Sequence, residues 1–196
     1  LAEINRPAIN SFLEHRNKIN LEAEIEKIQK MRVKTLTLED KDYPAGLKNI
    51  YDPPPVLYLK GDLLASDQKA VAIVGTRRAS RYGLQLARKF AFELSSLGIT
   101  IVSGLAQGID TRAHQGALEA KGRTLAVFGC GVDIVFPSEN RDLAKQIELS
   151  GALISEFPLG ARIEKGNFPR RNRIIAGLAL GVIVIAPIFE RALKFL

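Results

Sequence analysis

The sequence is poor in the residues that form disulfides and zinc sites. Its 196 residues include a single cysteine, Cys130, and two histidines, His15 and His114. One cysteine excludes an intramolecular disulfide and a cysteine-rich metal site, and it is typical of proteins of the reducing cytosol. Two histidines give little support to a histidine-based zinc site. We therefore expect no metal and no cofactor.

Long hydrophobic runs are also missing. The most apolar stretch, residues 174–189, is interrupted by Gly177, Gly181 and Pro187 and is too short to span a bilayer. The N-terminal residues are rich in Asn, Glu, Lys and Arg and lack the apolar core of a secretory signal. These absences predict a cytoplasmic protein that does not act at a membrane.

The composition is that of a folded domain with an excess of positive charge. Hydrophobic residues make up 46% of the chain, which is enough to bury a core. The formal net charge is +7, and such an excess favours polyanionic partners. The length suggests one main α/β domain with a small appendage.

Hydrophobic periodicity divides the chain into a helical appendage and one α/β domain. Residues 1–32 carry helical spacing and form the predicted N-terminal helical segment, and residues 33–196 form the main domain. The predicted strands are residues 33–38, 56–59, 70–74, 99–102, 124–128, 152–155 and 182–185, and the predicted helices are residues 82–97, 114–121, 141–149 and 171–179. This alternation predicts a doubly wound, mostly parallel Rossmann-like sheet, with the first two strands covering one edge.

Ligands of such sheets bind at the loops that follow the carboxyl ends of the strands. Small residues in these loops expose backbone N–H groups to phosphate, arginine binds phosphate through its planar fork, and phenylalanine stacks on bases. The candidate binding residues chosen on this basis are Gly75, Thr76, Arg77, Arg78, Ser80, Ser103, Gly104, Gly108, Lys165, Phe168, Arg170, Arg171 and Arg173.

Two of these segments hold the whole excess of positive charge. Residues 77–89 carry +5 and residues 162–173 carry +4, whereas the entire chain carries only +7. Because both segments follow strands of one parallel sheet, we expect them on the same rim. A cationic track with an aromatic side chain is what a single strand of nucleic acid requires.

Several of these residues also have ordinary structural interpretations. Phe168 has two interpretations, a stacking residue and a residue that fills the hydrophobic core. Asp110 is interpreted as a residue at the start of a helix rather than as a catalytic group. His114 is expected to make a hydrogen bond on a helix surface, and Cys130 to be a small buried residue. Neither a G-x-G-x-x-G nor a P-loop motif is present, and we predict no catalytic residue.

The motifs resemble those of the DprA/Smf family (DNA-processing protein A) over roughly residues 36–185. The matching segments are Tyr43-Pro44, residues 52–55 (Asp-Pro-Pro-Pro), 71–77 (Val-Ala-Ile-Val-Gly-Thr-Arg), 103–110 (Ser-Gly-Leu-Ala-Gln-Gly-Ile-Asp), Ala113-His114 and 167–178 (Asn-Phe-Pro-Arg-Arg-Asn-Arg-Ile-Ile-Ala-Gly-Leu). The resemblance implies an extended Rossmann domain that binds single-stranded DNA during natural transformation and delivers it to the RecA recombinase. It also implies a homodimer without enzymatic activity.

The resemblance assigns roles to particular residues. It implies that the turn at 75–80, with Arg77 at its centre, holds phosphate. It also implies that Lys165 and Phe168 contact the strand, supported by Arg170 and Arg171. Residues 186–196 depart from the usual continuation of the family, so we expect the domain to be incomplete at its C-terminal side, where the dimer contact would lie.

Two other functions remain open. The same rim fits a Rossmann-fold nucleotide phosphoribohydrolase-like enzyme, although the G-G-x-G-T-x-x-E signature of such enzymes is missing. It also fits a docking scaffold whose basic surface binds an acidic protein.

Overall fold

The structure is a computed structural model that describes residues 20–186 together with Asn10 and Leu13. The chain divides into two compact units, residues 1–33 and 34–196. In the first unit, helix α1 (Leu21–Lys30) begins after Asn20, whose side-chain oxygen accepts a hydrogen bond from the Ala23 N–H. The predicted helical segment is thus confirmed over α1. Most of its remaining residues, and the unusual C-terminal residues 187–196, lie outside the described part of the chain.

The second unit is built on a seven-stranded sheet. In chain order the strands are β1 (Lys34–Thr37), β2 (Val56–Gly61), β3 (Ala70–Gly75), β4 (Thr100–Ser103), β5 (Thr124–Val127), β6 (Ala152–Ser155) and β7 (Gly181–Ile185). Their spatial order is β1-β2-β6-β5-β4-β3-β7. All pairs from β6 to β7 are parallel, whereas β1 and β2 add antiparallel strands at one edge. The predicted doubly wound, mostly parallel sheet is confirmed, and so is the covering of one edge by the first two strands.

The helices of this unit are α2 (Ala45–Lys48), α3 (Arg81–Ser96), α4 (Ile109–Glu119), α5 (Arg141–Ser150) and α6 (Asn167–Gly177), with short 3₁₀ turns at Ala65–Gln68 and Ser138–Asn140. Helix α3 begins one residue earlier than predicted, and two further helices begin several residues earlier. Helix α4 starts directly after Gly108, and α6 starts two residues before Pro169. Proline fits the first turn of α6 because an N–H at that position has no partner within the helix.

Side chains alternate between two hydrophobic cores, one on each face of the sheet. Ala72 and Val102 face the core that includes α2 and α6, whereas Ile73 and Ile101 face the core formed with α3 and α4. Helices α3 and α4 approach closely, since a Cβ atom at Gly116 would lie 2.2 Å from a backbone oxygen of α3. No helix among the described residues is both long and apolar enough to cross a membrane.

A closed polar network lies at the amino ends of the central strands. Arg123 donates from Nε and Nη2 to the two carboxylate oxygens of Asp67, each at 2.8 Å. Asp67 also accepts hydrogen bonds from the Thr100 hydroxyl and the Leu64 N–H, both at 2.8 Å. Burial by itself raises the pKa of Asp67, but these hydrogen bonds and the charge of Arg123 outweigh burial and lower that pKa. At this rim the arginine charge is therefore fully compensated.

His114 is completely buried between α4 and the sheet. Its Nδ1 lies 2.7 Å from Thr124 Oγ1, which itself donates to the Ile101 carbonyl oxygen at 2.9 Å. Because the hydroxyl hydrogen is used in that bond, Nδ1–H of His114 is the donor in the contact with Thr124. The predicted hydrogen bond on a helix surface is wrong, since position 114 shares the spacing of Ala113 and Ala117 on the buried face of α4.

Burial, aided by the nearby charge of Arg171, lowers the pKa of His114 to about 3 from an ordinary value of 6.5. The folded protein therefore binds fewer protons than the unfolded chain between these values, and it loses stability as the pH falls through the interval. Between pH 6.5 and about pH 5 we expect this residue to lower the free energy of unfolding by about 2 kcal/mol.

Urea unfolding of the wild type and of His114→Gln at both pH values measures this effect. The variant should lose less stability than the wild type over the interval, because glutamine does not titrate. An identical loss in the two proteins would show that His114 is not the titrating group.

Candidate nucleic-acid interface

The rim at the carboxyl ends of the strands brings Arg77 and Phe168 together. The Arg77 guanidinium carbon lies 5.2 Å from the centroid of the Phe168 ring, within the range of a cation–π contact. The ring of Phe136 lies 6.1 Å from that of Phe168 at a tilt of 43°. Phe168 also packs over Gly129, where a Cβ atom would lie 3.1 Å from the ring. We call Arg77, Phe168 and Phe136 the Arg–Phe cluster.

The members of the Arg–Phe cluster remain accessible to solvent. Arg77 is exposed, Phe168 is half-buried and Phe136 is 42% exposed. Phe168 is therefore not a fully buried core residue, which leaves part of its ring available to a ligand. Phe136 was not among the predicted site residues, although it follows β5 and the rule for the carboxyl ends of strands applies to it.

The turn between β3 and α3 forms the base of the rim. Gly75 lies against β7, because a Cβ atom there would be 2.1 Å from the Ile185 carbonyl oxygen. The N–H of Thr76 donates to that same oxygen at 3.3 Å, and Thr76 Oγ1 accepts from the N–H of Arg78. Ser80 caps helix α3 with its side-chain oxygen. These small residues thus shape the turn, while the exposed side chains of Arg77 and Arg78 extend from it.

The loop between β4 and α4 packs against this turn. Gly108 has a φ of +85°, and a Cβ atom there would lie 2.5 and 2.7 Å from the carbonyl oxygens of Thr76 and Arg77. Both the positive φ and the close approach require glycine. Ser103 is fully buried and donates its hydroxyl to the Ile73 carbonyl oxygen at 2.6 Å. The loop therefore supports the rim through backbone contact.

Arg171 lies inside the protein, directly beneath the rim. Its side chain is 6% exposed, and its Nη2 is 3.8 Å from Oδ2 of Asp110, which is equally buried. Nη1 donates to the Val127 carbonyl oxygen at the end of β5. Asp110, the second residue of α4, in turn accepts from the Ala106 N–H at 3.3 Å. The pair therefore joins the loop after β4, the end of β5 and the starts of α4 and α6.

Desolvation affects both members of this pair. Burial raises the pKa of Asp110, and the charge of Arg171 opposes that rise. Burial likewise lowers the pKa of Arg171, and Asp110 opposes the decrease. Gly104 packs on the guanidinium, since a Cβ atom there would overlap Arg171 Nη1 at 1.8 Å. Ser103, Gly104 and Arg171, all predicted as binding residues, are thus placed in the support of the rim and not on its surface.

The remaining predicted arginines of α6 differ in how far their charge is compensated. Arg173 donates to both carboxylate oxygens of Glu156 at 2.9 and 2.7 Å and to Asp52 at 3.1 Å. Arg170 is exposed, lies 3.9 Å from Glu156 and contacts the ring of Phe157. The two basic segments contain ten Lys and Arg residues. Five of them have no carboxylate within 4.0 Å among the described residues: Arg77, Arg78, Arg81, Arg162 and Lys165. Half of these ten cations therefore keep an uncompensated charge.

The fold and this rim define an α/β protein of the Rossmann-like class with a cationic, aromatic-bearing ligand edge. Residues 34–188 match the family model described as DNA recombination-mediator protein A, and the chain belongs to this family. The predicted resemblance is thereby confirmed.

Known relatives share much of this sequence. Protein Smf of Synechocystis is 44% identical over 181 residues, which cover 90% of this chain and 46% of that protein. The DNA processing protein DprA of Bacillus subtilis is 44% identical over 154 residues, which cover 78% of this chain and 52% of that protein. The chain therefore spans about half the length of these relatives.

Solved structures agree in fold. The X-ray structure of DNA processing protein A from Streptococcus pneumoniae superimposes with a TM-score of 0.85 at 38% identity, covering 98% of this chain and 67% of that one. The DNA processing protein A of Helicobacter pylori, whose structure concerns its single-stranded DNA binding mode, superimposes with a TM-score of 0.72 at 33% identity. That match covers 83% of this chain and 74% of the other.

The buried pair generates a test by double substitution. Arg171→Met leaves Asp110 buried without a partner and should lower the free energy of unfolding by about 3–5 kcal/mol. Adding Asp110→Asn removes the unpaired charge, so the double variant should be more stable than Arg171→Met alone. Denaturant unfolding of the four proteins measures the coupling.

Arg88→Met serves as the control, because its partner Glu119 is largely exposed and its loss should leave stability nearly unchanged. Strictly additive effects of the Asp110 and Arg171 substitutions would show that the two charges are not coupled.

Proposed function

We propose that this chain binds single-stranded DNA on the rim, independently of base sequence and without catalysing a reaction, as part of DNA processing in natural transformation. The observation that carries the proposal is the Arg–Phe cluster, in which an exposed guanidinium and an accessible aromatic ring lie side by side. The names of the relatives and the single-stranded DNA binding mode of the Helicobacter pylori protein support it.

The Arg–Phe cluster matches the chemistry of one nucleotide. The guanidinium of Arg77 suits a phosphate, which it binds through two parallel hydrogen bonds. The ring of Phe168 suits the face of a base, and Phe136 extends the aromatic surface. Only a single strand presents both groups together, since the bases of a duplex are stacked on one another. Every base has a flat face, so this mode of binding is independent of sequence.

The remaining predicted residues divide into contact and support roles in this proposal. Lys165 and Arg78 are both exposed and have no ion pair within 4.0 Å among the described residues, and they bind further phosphates. Arg170 assists from the first turns of α6. Arg173, with its charge compensated by Glu156, orients that helix, and the buried residues beneath the rim hold the loops in place.

We also propose that the protein delivers the bound strand to the RecA recombinase and that it acts as a homodimer. Both follow from the family resemblance. They are tested by loading of RecA onto single-stranded DNA in the presence of the protein, and by light scattering at several protein concentrations. RecA loading that does not respond to the protein, or a monomer at every concentration, would contradict them.

A phosphoribohydrolase-like enzyme is less well supported. Asp110 and Glu156 are two candidate carboxylates for such an enzyme. Asp110 is buried against Arg171, and Glu156 accepts hydrogen bonds from Nη1 and Nη2 of Arg173. In this arrangement both carboxylates are committed to ion pairs, which makes them poorly suited to act as general bases.

Fluorescence anisotropy with labelled oligo-dT tests the binding proposal. The wild type should bind the single strand in preference to a duplex, with a slope of log affinity against log salt of roughly −3.5 if about five phosphates are neutralised. Arg77→Ala and Lys165→Ala should each weaken binding and make the slope smaller by about 0.7. Phe168→Ala should weaken binding about tenfold or more at an unchanged slope, because stacking involves no counterion.

Lys145→Ala provides a matched control, since Lys145 is exposed and paired with Asp142 on α5. It should bind like the wild type. Equal affinity for duplex and single strand, or a salt slope near zero in a folded protein, would contradict the proposed function. Binding of an acidic protein that competing DNA does not displace would favour the docking scaffold instead.

A further inference from the structure

A groove runs from the rim along helix α4. Its rim half has a volume of about 410 Å³, and its lining includes Arg77, Arg78, Gln107, Arg112 and Gln115. It continues into a second concavity of about 530 Å³, and the two share Arg112, Gln115 and Asn140. Because Arg77 belongs both to this lining and to the Arg–Phe cluster, the groove adjoins the proposed DNA site.

The wall of the rim half is held in place by buried hydrogen bonds. The side-chain N–H₂ of Asn140 donates to the Leu105 carbonyl oxygen and to Thr111 Oγ1, both at 2.9 Å. Thr111 donates its hydroxyl to the Ala106 carbonyl oxygen at 2.7 Å. Leu105 has a φ of +60° without being glycine, so these bonds fix a backbone conformation that is otherwise disfavoured. The groove therefore exists before any ligand enters.

The electrostatic character of the groove reverses along its length. At the rim half, Arg78 and Arg112 have no carboxylate within 4.0 Å among the described residues. Arg112 donates from Nη1 to Gln115 Oε1 at 2.8 Å, and this hydrogen bond orients the guanidinium. The N–H groups on Nε and Nη2 do not take part in it. The far half is lined by three carboxylates. Glu119 is paired with Arg88 at 2.7 Å and Asp142 with Lys145 at 2.9 Å, so among the described residues Glu139 carries the unpaired negative charge.

The side chains that line the rim half suit the sugar–phosphate backbone of a nucleic acid rather than its bases. Guanidinium and amide groups donate hydrogen bonds to phosphate oxygens. Among the described residues no aromatic side chain lines the rim half, so it lacks an aromatic stacking surface. The unpaired carboxylate of Glu139 repels a phosphate, and a bound strand would therefore leave the groove before reaching the far half.

We propose that the rim half of this groove is a second phosphodiester subsite of the DNA site, with Arg112 as its principal contact and the acidic half as the end of the footprint. The proposal rests on the proposed function and extends it to a specific path of the strand. The subsite takes the sugar–phosphate backbone that continues past the Arg–Phe cluster on the side of Arg78, without reading base identity.

Binding of oligo-dT of increasing length, from about 4 to about 16 nucleotides, tests the path in the wild type and in Arg112→Ala. The shortest oligonucleotide that binds occupies the Arg–Phe cluster alone, so its affinity should not change in the variant. Longer oligonucleotides should bind about fivefold more weakly to the variant, with a salt slope smaller by about 0.7. Arg112→Lys should retain the slope, because the charge is kept.

Arg88→Ala is the control for the acidic half, since Arg88 is already neutralised by Glu119; it should bind every length like the wild type. Weakening of Arg112→Ala by the same factor at all lengths, or no weakening at any length, would overturn the second subsite while leaving the proposed function intact. A wild type that binds no oligonucleotide would overturn both.

Discussion

The buried ion pair of Asp110 and Arg171 is the constraint on which the candidate site depends. Two opposite charges, each at most 6% exposed in the side chain, lie where the ends of two strands meet the starts of two helices. Removing such charges from water is costly unless they compensate each other and make further hydrogen bonds. Arg171 does so through Val127 and Asp110 through Ala106. The loops that carry the exposed residues are thereby tied to one another from below.

The two rims of the sheet use arginine in opposite ways. At the amino ends, Arg123 is bound by both oxygens of Asp67 and by two backbone carbonyl oxygens, so its charge and donors are used within the protein. At the carboxyl ends, Arg77 has an aromatic ring as its neighbour instead of a carboxylate. Its hydrogen-bond donors stay available to an anion. Because a ring attracts a cation without neutralising it, the contact orients the guanidinium and preserves its charge.

This arrangement explains how a protein of modest net charge can favour a polyanion. Five cations of the two basic segments, and Arg112 beside the groove, have no carboxylate within 4.0 Å among the described residues. Carboxylates line the far part of that groove. In the proposed function, these cations attract the phosphates of a strand to the rim. The distribution of charge, more than its sum, is therefore the property that suits single-stranded DNA.

Much of the fold follows from local sequence. The apolar runs at β3 to β7 and the glycines after them predicted the parallel sheet, since strands buried on both faces need continuous apolar residues. Chain order and the rule for the carboxyl ends of strands then indicated Arg77 and Phe168 as site residues. The start of α6 was predicted four residues late, at residue 171 instead of Asn167, and the helix includes Pro169 because the first turn of a helix accepts proline.

Residue type and chain order thus determined the sheet, the rim and the choice of the basic segments. Tertiary structure alone decided which basic residues remain free. Arg173 is neutralised by Asp52 and Glu156, and Arg171 is buried against Asp110. Each outcome depends on a partner from a distant part of the chain. A charge is compensated only when packing brings an opposite charge within a few ångströms. The local sequence does not determine that distance.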